Sequence, residues 1–124
     1  MTPNARSTTH HRLVVWQKGL ALAKVCYRLA KQLPASERYE LGSQIRTASA
    51  SVTANIAEGK GRRTKLEYAR FLAIARGSVR EIDSHLELSV ALEFLSTEDV
   101  REALCLADEV SRMLSAMMQK LAPF

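Results

Sequence analysis

No apolar run in this chain of 124 residues approaches the roughly 18 needed to cross a bilayer. The longest are short stretches such as Leu13-Val-Val-Trp16 and Phe71-Leu-Ala-Ile-Ala75, so no membrane span is expected. Cysteine is scarce: Cys26 and Cys105 are too few for a disulfide-stapled scaffold. A chain of this length buries roughly 65% of its unfolded surface without staples. The N-terminal MTPNARSTTHHR has no apolar core of a secretory signal, so the expectation is a cytoplasmic protein with both thiols free. Aromatic residues make up only 6%, which gives little support to stacking on single-stranded bases. Of the three histidines only His85 falls inside a helical pattern, and Ile82 stands three residues before it. That excludes the Glu-x-x-His pairs of di-metal bundles. No G-x-x-x-x-G-K-[ST] occurs, and Gly59-Lys-Gly61 lacks the strand and third glycine of a dinucleotide fingerprint. Neither a metal nor a cofactor is expected.

What remains is ordinary globular composition, 47% apolar and 25% charged, read as one domain over residues 13–124 behind a flexible arm at residues 1–12. No stretch alternates as a strand does. The punctuation is Pro34, Gly59-Lys60-Gly61 and Ser96-Thr97, which divides the chain into four helical segments. In the first, Val15, Gly19, Leu22, Cys26, Leu29 and Leu33 trace one face at alternating spacings of 3 and 4. A second stripe, Leu13, Trp16, Leu20, Ala23, Tyr27 and Ala30, runs beside it. It fits either a helix sunk between two neighbours of its own bundle or one that faces another subunit. The second segment has Ser36 as its expected N-cap, a core stripe from Leu41 to Ile56, and a polar seam of Gln44, Ser51, Asn55 and Glu58. Thr64-Lys-Leu-Glu67 reads as a capping box opening the third segment, and Ser96-Thr-Glu-Asp99 heads the fourth.

Four long helices with short connections predict an all-α, antiparallel up-down-up-down four-helix bundle. This topology redistributes a net charge of +5. Residues 1–80 hold 15 basic and 4 acidic side chains, and residues 81–124 hold 3 and 9. Folding back on itself, the chain would gather Arg6, Arg12, Lys18, Lys60, Arg62, Arg63, Lys65, Arg70 and Lys120 at one end. Glu37, Glu40, Glu93, Glu98, Asp99 and Glu102 would gather at the other. Lys60, Arg62, Arg63 and Lys65 form the candidate anion site, because they flank a helix N-terminus with free amides. The competing reading is a solvated loop in which Arg62 or Arg63 is tied to Glu58 or Glu67. One enzymatic pattern is present: Arg80-Glu-Ile-Asp-Ser-His85 is an R-x4-H that resembles the motif of HEPN-type helical ribonucleases. The competing reading pairs Arg80 with Asp83 and makes His85 a satisfied interior histidine.

Val15-Trp-Gln-Lys18, Glu37-Arg-Tyr39, Ser43-Gln-Ile-Arg46, Ala54-Asn-Ile-Ala-Glu-Gly59, Gly61-Arg62, Phe71-Leu72 and Gly77-Ser78 together closely resemble the bacterial four-helix bundles known as 23S rRNA intervening-sequence proteins. The resemblance runs in order from about Val15 to Lys120. It implies a ring-like homopentamer and, by way of a relative that serves diversity-generating retroelements, a basic accessory subunit that contacts nucleic acid. It also implies that Gln44, Arg46, Asn55, Glu58, Arg62 and Glu81 form one polar network that fixes helix register or subunit contacts. Thr53 stands where the family often has proline, so a softened kink is expected there. The expected function is a non-enzymatic oligomeric bundle that binds RNA or another nucleic acid through Arg12, Lys18, Lys60, Arg62, Arg63 and Lys65. A purely structural or protein-interaction module is the alternative, and a ribonuclease using Arg80 and His85 is a further one.

Overall fold

The computed structural model describes residues 10–124. Residues 1–9, with most of the expected arm and Arg6, lie outside the described residues. The arm's last residues, His10–Arg12, form a 3-10 turn whose two stacked imidazoles lie against the Trp16 ring at 5.0 and 5.4 Å. Four helices follow: α1 (Val14–Gln32), α2 (Leu41–Lys60), α3 (Lys65–Ala91) and α4 (Thr97–Leu121). No strand occurs among the described residues.

The helices start and stop for local reasons. Ser96 and Asp99 make the complete capping box at α4, each side chain satisfying the other's amide. At α3 half of that motif forms: Thr64 Oγ1 accepts the Glu67 amide at 3.1 Å. Ser36 does not cap α2. The residues after Pro34 make a 3-10 turn at Ala35–Glu37, and α2 begins only at Leu41, whose amide is 3.4 Å from Glu37 Oε1. Fixed φ at Pro34 favours this tight turn over an immediate helix. Beyond Thr53 α2 runs unbroken to Lys60. At the far end α3 stops at Ala91, Glu93 just beyond it adopts a left-handed φ of 64°, and the Phe94 amide closes back on the Ser89 carbonyl at 2.9 Å.

Each helix packs against its two sequence-ordered neighbours around a closed square: α1 on α2, α2 on α3, α3 on α4, α4 on α1. Antiparallel register is set by cross-helix pairs such as Ser51 with Ser78, whose hydroxyls lie 2.8 Å apart, and Lys18 with Glu109 at 3.2 Å. The stripes predicted for α1 (Val15 to Leu33) and α2 (Leu41 to Ile56) are buried throughout, and Val100, Ala103, Ala107, Val110 and Leu114 supply α4's share. On α3 the core face is Leu72, Ala75, Val79, Ile82 and Leu86. Gly19 lets α2 approach α1, since a Cβ there would meet Thr53 Cγ2 at 3.2 Å. The second α1 stripe is divided: Ala30 is buried and Leu13 and Trp16 pack on the core, whereas Leu20 and Tyr27 remain 43% and 42% exposed, because α1 has only α2 and α4 to pack on.

Candidate nucleic-acid interface

The connection from α2 to α3 is held by a close backbone approach. Gly59 is buried, and a Cβ there would lie 2.8 Å from Phe71 Cβ and 3.1 Å from Tyr68 Cδ1, so only glycine allows α2 to end this near α3. The Arg62 amide bonds the Gly59 carbonyl at 3.0 Å and tightens the turn. Two aromatic rings seat the cations on either side. The Lys60 ammonium stands 5.9 Å from the Tyr68 ring centre, and the Arg62 guanidinium 4.7 Å from that of Phe71. Burial pushes the Tyr68 phenol above its ordinary pKa, so it stays neutral beneath the lysine.

The predicted site residues differ in how much of their charge is available. Arg62 is ion-paired with Glu58 one turn back, as one of the two expected readings had it. Lys18 is committed to Glu109 of α4. Arg12, Lys60, Arg63 and Lys65 are exposed and make no ion pair among the described residues. The turn that carries Arg12 touches both α1 and α2, at the end where α2 finishes. Beside Lys65 the first amides of α3 have no intrahelical acceptor, as at any helix start.

The six-residue polar network expected from the family resemblance does not assemble. Asn55 donates to the Ser51 carbonyl at 2.8 Å and to Ser51 Oγ at 2.9 Å, and Ser51 meets Ser78 across α3. Glu58 and Arg62 form a separate pair near the turn. Arg46 sits at the opposite end of α2 and donates to the Arg38 carbonyl at 3.0 Å. Gln44 and Glu81 are exposed and join none of these. From Gln44 to Arg62 they spread over about five helical turns, and Glu81 stands on α3, so no single chain of hydrogen bonds joins them within the described residues. Arg80 and His85 stand on α3 at the spacing the motif itself sets. Five positions place them about 140° apart around α3, Arg80 exposed and His85 half-buried. The expected Arg80–Asp83 pair does not form. Among the described residues no group of three or more His, Cys, Asp or Glu side chains could hold a metal ion, and no helix is long and apolar enough to cross a membrane.

Sequence reasoning missed the role of Tyr68 and Phe71 as seats for Lys60 and Arg62. Their signal is the small Gly59 at the end of α2, which brings the first turns of α3 under the loop.

Fold and site together define an all-α, antiparallel four-helix bundle with an exposed basic connection between its second and third helices. The family model described as 23S rRNA-intervening sequence protein matches residues 11–116, and the chain belongs to that family. The crystal structure of a protein of unknown function from the S23 ribosomal protein family of Bacteroides thetaiotaomicron superposes with a TM-score of 0.80. That alignment covers 86% of this chain and 99% of the other at 24% identity, a likeness of fold. No curated protein matches the chain.

Proposed function

We propose that this protein is a non-enzymatic, oligomeric scaffold that binds RNA, or another nucleic acid, through phosphate contacts at the end of the bundle where α2 meets α3. The observation that carries the reading is the group of exposed cations Lys60, Arg63 and Lys65, without an ion pair among the described residues, beside the first turn of α3, where Thr64 caps the Glu67 amide and the amides before it have no intrahelical acceptor. Arg12 and Arg70, both exposed and at the same end of the antiparallel bundle, support reading that end as a basic pole. Tyr68 and Phe71 lie beneath cations rather than open to bases, which favours contact with the backbone over stacking.

Assembly is supported by two apolar surfaces on helices that do not touch each other. α1 exposes Leu20 and Tyr27 on one face, and α3 with its C-cap exposes Leu66, Ile74, Leu88 and Leu92 within one arc of about 80°. Because α1 and α3 stand on one diagonal of the square, these surfaces point in different directions, the condition for a head-to-tail contact that closes a ring. The ring is the homopentamer implied by the family resemblance, working in the cytoplasm, and it would repeat Lys60, Arg62, Arg63 and Lys65 around one rim.

RNA binding by fluorescence anisotropy across a salt series tests the reading. Arg62→Gln/Arg63→Gln/Lys65→Gln should lower affinity and reduce the salt slope by about 2 for each protomer engaged. Equal binding by wild type and variant would remove the RNA function. A stable oligomer in light scattering that binds no RNA at low salt would leave the assembly-only reading, which the exposed apolar surfaces favour. The ribonuclease reading rests on the Arg80 and His85 motif alone, and His85→Ala is its direct check.

A further inference from the structure

At the end of the bundle opposite the α2–α3 connection, the turn after Pro34 walls an open cavity of about 470 Å³. That is within the usual size range for small-molecule sites. Lys31 reaches it from the last turn of α1, Arg38 from the connecting turn, and Arg46 from the second turn of α2. No carboxylate lines the cavity, and none of the three cations is ion-paired among the described residues. Three positive charges are thus brought together by three elements, although this end otherwise carries most of the acidic side chains.

The arrangement is held in place. Arg46 Nη2 donates to the Arg38 carbonyl at 3.0 Å, so the guanidinium clamps the turn and keeps other N–H groups for a ligand. Gly42 makes room for it, since a Cβ at that position would come 3.3 Å from Arg46 Nη1 and 3.0 Å from the Glu37 carbonyl. Tyr27 and Tyr39 stand on the walls, 42% and 79% exposed, with the Arg38 guanidinium 5.4 Å from the Tyr39 ring centre. A planar guanidinium that is already fixed suits a phosphate, and exposed ring faces suit a planar base.

We infer that this cavity binds a nucleoside monophosphate group, its phosphate on Lys31, Arg38 and Arg46 and its base against the tyrosines. The group could belong to a free nucleotide or to the phosphorylated 5′ terminus of an RNA. The site is independent of the α2–α3 connection, and its failure would leave that reading untouched.

The experiment is calorimetric titration of the full chain with AMP, adenosine and inorganic phosphate, and with short oligoribonucleotides bearing a 5′-phosphate or a 5′-hydroxyl. AMP is expected to bind about tenfold or more tightly than adenosine or phosphate alone. Arg38→Gln and Lys31→Gln, at exposed positions, should keep the fold by circular dichroism and weaken AMP by about tenfold. Arg46→Gln should weaken it at least as much, and Arg63→Gln/Lys65→Gln should leave it unchanged. Preference for the 5′-phosphorylated oligonucleotide with the same sensitivity to Arg38→Gln, in the absence of AMP binding, would assign the site to RNA ends. Measurable binding of AMP that is no tighter than that of adenosine, binding insensitive to Lys31 and Arg38, or loss only on substitution at Arg63 and Lys65 would each overturn the inference. So would the absence of binding by both AMP and the 5′-phosphorylated oligonucleotide.

Discussion

Gly59 and Phe71 face each other across the α2–α3 turn so closely that a methyl group on Gly59 would come within 2.8 Å of Phe71 Cβ. Phe71 carries the Arg62 guanidinium, so packing beneath the turn fixes the position of a cation above it. Gly59→Ala forces one helix away from the other. Overpacking of this kind costs about 1–3 kcal/mol, of which better helix propensity returns about 1. A net loss of up to about 2 kcal/mol is expected, measured as a lower midpoint of urea unfolding with an unchanged m-value.

Glu58 holds Arg62 in an ion pair and places a negative charge among the basic side chains. Glu58→Gln removes that charge and leaves Arg62 its aromatic seat. RNA affinity at low salt should rise by about three- to tenfold, with a steeper salt dependence. Stability should change by no more than about 0.5 kcal/mol, because both side chains are substantially exposed. Weaker binding by this variant would contradict a phosphate-contacting role for the turn.

The two thiols differ in environment. Burial first, and the Asp83 charge second, push the Cys26 thiol from an ordinary 9.0 up to about 12, while Cys105 is exposed on α4. A thiol reagent at pH 8 should therefore modify one cysteine per native chain, and the second only after unfolding. A raised folded pKa means that the native state holds its proton longer than the unfolded state. The contribution of neutral Cys26 to stability is complete below pH 9 and is lost as pH rises towards 12. A Cys26→Ala variant should show a flatter decline in that window.

Asp83 is half-buried on α3, and its carboxyl is raised above the ordinary 3.8 by burial first, then by Glu87 and by Asp108. Arg112 is paired with Asp108 at 3.0 Å, and no cation pairs with Asp83 among the described residues. The protonated form is the one the fold prefers, so its stabilising effect is complete below pH 3.8 and falls as pH rises through the folded value. Asp83→Asn should raise the melting temperature at pH 7 and give little gain at pH 3. A lower melting temperature at pH 7 would mean that the carboxylate has a partner.

How much of this was legible in the sequence depended on how local the cause was. Thr64 and Ser96 announce their helices because a cap bonds amides only two or three residues away. The buried stripes of α1, α2 and α4 follow from spacing alone. Ser36 misled because Pro34 sets a turn before α2 can begin, and turn geometry competes with capping signals in the same few residues. The two stripes of α1 could not be told apart until the bundle showed α1 with only two neighbours. Side-chain pairing was least legible: Arg80 stands within helical reach of Asp83 and does not pair with it, and Ser51 meets Ser78 from 27 positions away. The cluster of Lys31, Arg38 and Arg46 escaped notice because three elements contribute one cation each, although Pro34 flanked by cations and tyrosines marks the place.

The alternation of helix directions has an electrostatic consequence. Each end of the square combines two helix N-termini with two C-termini, so the four macrodipoles largely cancel over the length of the molecule. Any field at either end is then carried by side chains, and at physiological ionic strength counterions confine it to about 8 Å. A polyanion approaching from bulk solution would feel little until it arrives, and each substituted arginine or lysine would be felt only where it stands.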